Sequence, residues 1–256
     1  MALDIDRYSH LESPIHQWDP RVKIASLLFL VIMIALLNTL PLAILALVAA
    51  ITLVKLSNIP KEFIFSGIKW VVLFLIPFLI IMPLTYPGEA DVFSWAGFRL
   101  ALLIVVKAVA IVLTSYIMFT SARFVDSMTA LKHLKCPAVF VQMLLFTYRY
   151  IFVFIDEMRR MDTAMKARGF IKKADSYTLK VLGNFVGTLL IRSFERTERI
   201  YKAMLSKGYQ GEFHSMQTFS IVPTDYAKAA GCGILAIVLI SMDNVGLFSI
   251  AEQGWI

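Results

Sequence analysis

Two short stretches combine residue type and spacing in a way that could do chemistry: Ala167-Arg168-Gly169-Phe170 and Ser206-Lys207-Gly208-Tyr209. Each runs small residue, base, glycine, aromatic. The likeness extends backwards in one register, for a displacement of 39 positions brings Arg160 onto Arg199, Met161 onto Ile200, Ala164 onto Ala203 and Met165 onto Met204. A glycine just past a helix takes up the left-handed cap conformation without strain, and a base on the last turn complements the negative end of the helix dipole. One such cap is an ordinary helix end. Two in matching register point to use, because a cation projecting beyond a glycine-terminated helix can enter a groove on a partner and pair with a carboxylate or carbonyl there. Docking, not catalysis, is the chemistry these residues imply.

Other chemistries find little support. His10 and His16 stand six apart, which is not a same-face helical spacing, and His133 and His214 are isolated. Cys136 and Cys232 form neither a disulfide framework nor a zinc set, and say nothing of redox compartment. There is no Gly-x4-Gly-Lys-Ser/Thr stretch to cradle phosphates, no nucleophile elbow and no helical His-Glu-x-x-His pair. No catalytic, metal or cofactor residue is therefore expected, and ATP hydrolysis of the P-loop type would have to come from another chain. Lys107, inside an apolar segment, is open to a functional role or to snorkelling or pairing within a bundle. Met158, Met161, Met165 and Met204 read as gap-filling core, with a soft, repacking surface as the alternative.

The elements that must carry the two tips are set by an apolar composition. Of 256 residues 59% are hydrophobic and 17% charged, and mean hydropathy is +0.73, which excludes a soluble domain of this length. The formal charge is +7, and between Arg123 and Lys228 lie 17 of the 25 Lys and Arg against 9 of the 18 Asp and Glu, so the excess base is concentrated there. Such a block suits anionic lipid or an acidic protein face; nucleic acid is not expected, because no groove-reading or aromatic-and-basic sheet pattern accompanies it. Asp4, Asp6 and Glu12 precede any apolar run, so the beginning does not resemble a cleaved signal peptide.

Five spanning helices are predicted: 22–37 and 41–56 around the hairpin Asn38-Thr39-Leu40, then 63–86, 99–120 and 226–248. Asp19-Pro20 is a turn or helix-start signal, and Pro77 and Pro83 should kink the third span. The stretch 87–97, with Glu89, Asp91 and Trp95, forms a loop. Two long amphipathic helices fill the basic block, one from Cys136-Pro137 to Gly169 and one capped by Asp175 or Ser176 and ending at Gly208. Residues 138–155 are apolar enough to score as a membrane helix. Spanning there would put Arg159, Arg160, Lys166 and Arg168 on the side opposite Arg21, Lys23, Lys55 and Lys61, against the positive-inside rule. The segment is therefore expected to lie buried in protein or along the inner membrane surface, with the N-terminus inside and a base-free tail outside.

The entry Asp6-Arg7-Tyr8 with Ser13-Pro14-Ile15-His16-Gln17-Trp18-Asp19-Pro20-Arg21-Val22-Lys23, the stretch Tyr148-Arg149-Tyr150 through Glu157, and the two tips resemble the transmembrane coupling component of energy-coupling-factor transporters, most nearly its cobalt and nickel uptake subgroup. The resemblance covers essentially the whole chain. It implies an all-α polytopic membrane protein of the cell inner membrane, with 1–122 holding four spans, 123–224 cytosolic coupling helices, and 225–256 the fifth span and external tail. It further implies a non-catalytic subunit without cofactor, sitting in the lipid bilayer and holding a substrate-binding membrane subunit. Two ATP-binding subunits would each receive one tip. Ala167, Arg168 and Gly169 match the family's first coupling motif, and Ser206, Lys207 and Gly208 the second. Lys207 replaces the usual arginine, keeping the charge and losing the bidentate fork. The competing expectation is a stand-alone membrane enzyme or channel using its bases for anionic lipid or a small solute.

Overall fold

The computed structural model describes residues 13–85, 94–134, 136–211 and 222–244. All regular structure among them is helical, as expected: α1 Pro20–Leu36, α2 Leu40–Leu56, α3 Lys61–Thr85, α4 Trp95–Thr120, α5 Phe124–His133, α6 Ala138–Ala167, α7 Ser176–Ser206 and α8 Pro223–Asn244. Residues 1–12, with Asp4, Asp6, Arg7 and His10, residues 86–93, expected as part of a loop, His214, and residues 245–256 lie outside the described residues. Backbone contacts divide the chain into two units, one holding α6 and α7, the other α1 to α4, most of α5, and α8.

In the second unit α4 packs against α1, α2 and α3, and α8 packs against α1. Small residues make this close approach possible: Ala43, Ala46 and Ala50 recur on one face of α2, and Ala101 and Ala110 on α4, all buried. Leu30, Ile34, Leu42, Leu113 and Leu239 fill the space between them. Gly67 of α3 sits against the Tyr116 ring, where an added Cβ would collide with the phenol.

Polar bonds fix both ends of this bundle. The Asp19 side chain caps α1 by accepting from Arg21 N at 2.9 Å, with Pro20 in the first turn, as the sequence predicts. Lys23, fully buried, donates from Nζ to Ser121 O at the end of α4 at 2.9 Å and to Ile15 O at 3.4 Å. Lys228, near the start of α8, donates to Pro14 O at 2.8 Å. The starts of α1 and α8 and the end of α4 thus share one end. At the other, Asp243 accepts from Asn38 N at 3.0 Å, from Thr39 N at 3.1 Å and from Thr39 Oγ1 at 2.8 Å, stapling the end of α8 to the α1–α2 turn. Lys107 Nζ donates to Leu37 O of the same turn at 2.6 Å, so this lysine is engaged within the bundle. Helix α3 runs unbroken through Pro77 and Pro83, and Ser94 N returns a hydrogen bond to Pro83 O at 3.0 Å.

The helices long and apolar enough to cross a membrane are four among the described residues, α3, α4, α6 and α8, not the five expected. The difference has two causes. Helices α1 and α2 have 17 residues each, roughly 25 Å against a hydrocarbon layer of about 30 Å. Helix α6 qualifies on its apolar first half, and it is one continuous helix of 30 residues in which only Val141 is buried. Val139, Phe140 and Met143 are largely exposed, and most other residues of 138–155 are half-buried within this chain.

Candidate functional site: two cationic helix ends

Helices α6 and α7 end in the same way. At the first end Gly169 has φ +79°, Gly169 N donates to Lys166 O at 3.0 Å, and Phe170 N reaches back to Met165 O at 3.1 Å. At the second, Gly208 has φ +82°, Gly208 N donates to Leu205 O at 3.0 Å, and Tyr209 N reaches Met204 O at 3.1 Å. This pair of bonds is the Schellman arrangement, in which the residue past the helix must be left-handed and the next one packs back over the last turn. Met165 with Phe170, and Met204 with Tyr209, are half-buried in corresponding positions. The 39-residue echo is therefore a repeat of three-dimensional structure and not of composition alone.

Arg168 and Lys207 occupy the cap position itself, with φ −86° and −93°, and both are exposed. Among the described residues neither has an ion-pair partner, whereas Lys166, two residues before Arg168, pairs with Asp162 at 2.6 Å. Asp162 also receives Lys172 at 3.0 Å. That bridge ties the chain leaving the first tip back to α6, so Arg168 stands on a closed turn. The second exit is held differently. Tyr209 OH donates to Gln142 Oε1 at 2.9 Å, and Gln142 Nε2 donates to Gly211 O at 3.3 Å. The hydroxyl that distinguishes Tyr209 from Phe170 in the echo makes this latch.

The same contacts orient the helices. Glu157 of α6 forms an ion pair with Arg192 of α7. The end of α7 lies beside Gln142, near the start of α6, so the two run in opposite directions. From Gln142 to Arg168 the helix is roughly 39 Å long at the usual rise, which places the two tips at opposite ends of the pair. A single partner groove cannot take both. Around the crossing, Phe154, Glu157, Leu189, Arg192, Arg196 and Arg199 line a cleft of about 250 Å³. The α7 start uses Asp175 as its cap residue without a side-chain bond, and Thr178 Oγ1 accepts from Lys173 N at 3.3 Å instead.

All six expected tip residues, Ala167, Arg168, Gly169, Ser206, Lys207 and Gly208, thus lie where a helix stops, in two matching groups held apart. Their supports, Asp162, Gln142 and Arg192, were not singled out by sequence. For Asp162 the signal was present in its spacing of four from Lys166. Met158 is 41% exposed, which removes it from the core; Met161, Met165 and Met204 are half-buried. Among the described residues no three His, Cys, Asp or Glu side chains gather as a metal site would require.

Fold and site together define an all-helical protein with several membrane-length apolar helices and a separate pair of helices that end in exposed cations. The chain belongs to the CbiQ family, described as cobalt transport protein, whose family model matches residues 12–218. It is similar to the energy-coupling factor transporter transmembrane protein EcfT of Heliobacterium modesticaldum, 27% identical over 225 residues, covering 82% of this chain and 85% of the relative. The protein of the same description from Bacillus subtilis is 26% identical over 230 residues, covering 82% and 86%. That from Ruminiclostridium cellulolyticum is 28% identical over 234 residues, covering 82% and 84%.

Proposed function

We propose that this chain is the non-catalytic transmembrane coupling subunit of an ATP-driven energy-coupling-factor importer, and that the cargo is cobalt or nickel ions. The observation that carries the reading is the pair of Schellman-capped cationic tips at opposite ends of the α6–α7 pair. Two ATP-binding subunits each receive one tip, and a substrate-binding membrane subunit sits on the helices between. The relatives' description as energy-coupling factor transmembrane proteins supports the coupling role, and cobalt in the family's description supports the cargo. Neither reaches the choice of metal, which rests with the substrate-binding subunit.

In this mechanism α1, α2, α3, α4 and α8 span the membrane, with 1–122 and 225–256 as the membrane part and 123–224 as cytosolic coupling helices. The end gathering Arg21, Lys23, Lys55 and Lys228 faces the cytosol. The exposed apolar half of α6 is covered by membrane surface or by the substrate-binding subunit. Closure of the ATPases changes the distance between their grooves, and the stiff helices pass that displacement to the subunit they hold.

The test is the double substitution Arg168→Ala with Lys207→Ala in the assembled transporter. The expected result is loss of co-purifying ATPase or of ATP-driven uptake, with helicity and melting of the membrane subunit unchanged. Full assembly and uptake would refute the proposal, and purification of a lone active protein would favour the stand-alone enzyme or channel.

A further inference from the structure

We infer that the bundle carries a site for one anionic phospholipid, with its acyl chain in a groove between α2 and α8 and its phosphate on Lys228. The groove, about 270 Å³, is floored by Leu30 of α1 and walled by Leu53 and Leu56 of α2 and by Cys232 and Leu235 of α8. It lies at the end of the bundle where the starts of α1 and α8 meet, and it extends about two helical turns inward from Lys228 to Leu235. Its cause is local. Helix α8 packs on α1 and α2 on α4, and Gly231, with open space where a side chain would stand, leaves the α8 wall low.

Two observations select a lipid with an anionic headgroup. Lys228, half-buried at the mouth, is the charged residue among those lining the groove, and its bond to Pro14 O holds the ammonium there with two further donors available. The carboxylate nearest in sequence, Asp225, is buried and turned to its own helix start, where it accepts from Val222 N at 3.2 Å. Trp18, 3% exposed, lines the same groove, and its indole Nε1 has no acceptor among the described residues. With the bundle in the membrane as proposed above, an apolar trough that opens beside a lysine, with a buried indole in its wall, matches an acyl chain and its phosphate. The site is independent of the two tips.

The test is native mass spectrometry of the detergent-solubilised chain titrated with phosphatidylglycerol or phosphatidylcholine of identical acyl chains, with glycerol phosphate as a chainless competitor. One phosphatidylglycerol should be retained in preference to phosphatidylcholine, without displacement by glycerol phosphate. Lys228→Gln should lower that retention roughly five-fold, the scale of a single lysine contact with an anionic lipid. Gly231→Leu, which fills the trough and keeps the charge, should lower it as well. Equal retention of the two lipids, or retention unaffected by both substitutions, overturns the proposal and leaves only annular lipid or a partner helix on this face. Loss of phosphatidylglycerol to glycerol phosphate overturns it in favour of a phosphate-only contact.

Discussion

At the scale of single residues, the two tips differ by one side chain that matters for recognition. Arg168 offers a planar fork that can bind a carboxylate through two parallel bonds, and Lys207 a point charge that cannot. On the proposed function, Lys207→Arg is therefore expected to hold an ATPase as well as or better than the native residue, and Arg168→Lys to weaken association, both read as ATPase retained per copy of this chain on purification. The glycines act through the backbone alone. With φ +79° at Gly169 and +82° at Gly208 and nothing within 4 Å of a built Cβ, alanine meets no obstacle but pays about 1 kcal/mol for the left-handed conformation. Gly169→Ala or Gly208→Ala should fray its tip and reduce ATPase retention several-fold while the bundle melts as before. These residues were legible because helix termination is local chemistry: base, glycine and aromatic suffice to specify the cap. Asp243 and Lys107 were visible as charged residues but not as partners of the α1–α2 turn, since the bonds bridge about 200 and 70 positions that only packing brings together.

At the scale of elements, sequence period gave the helices and their ends, and left their mutual direction open. Both 30-residue-scale helices of the basic block follow from apolar spacing, from Cys136-Pro137 at one start and from glycine at each stop. That they run antiparallel follows only from contacts distant in sequence, Glu157 with Arg192 and Gln142 with Tyr209. If the Glu157–Arg192 pair sets the crossing, either Glu157→Arg or Arg192→Glu alone should impair coupled uptake by placing like charges together. The exchanged double variant should restore most of it. Recovery in the double variant, measured as uptake per assembled complex, separates a positional role from mere loss of charge. The pair is partly exposed, so its removal should change subunit melting by no more than about 1 kcal/mol.

At the scale of the whole molecule, hydropathy and orientation rules give opposite answers for α6, while α1 and α2 fall short of span length. Length and composition admit α6 as a span, while the placement of bases opposes that. Single cysteines introduced at Asn38 and Lys172 in a chain lacking Cys136 and Cys232 decide between them. With α6 on the cytosolic side, a membrane-impermeant thiol reagent applied outside whole cells should modify position 38 and spare 172. Labelling of both from outside would make α6 a span. The antiparallel pair also has mechanical proportions. Taken as rods pivoting where Glu157 holds Arg192, the arm to Arg168 is roughly 16 Å and the arm to Lys207 roughly 22 Å. Equal displacements at the two tips would then swing the shorter arm through an angle about a third larger. The pair is a balance with unequal beams, geared so that a given displacement at one tip turns its arm further than the same displacement at the other.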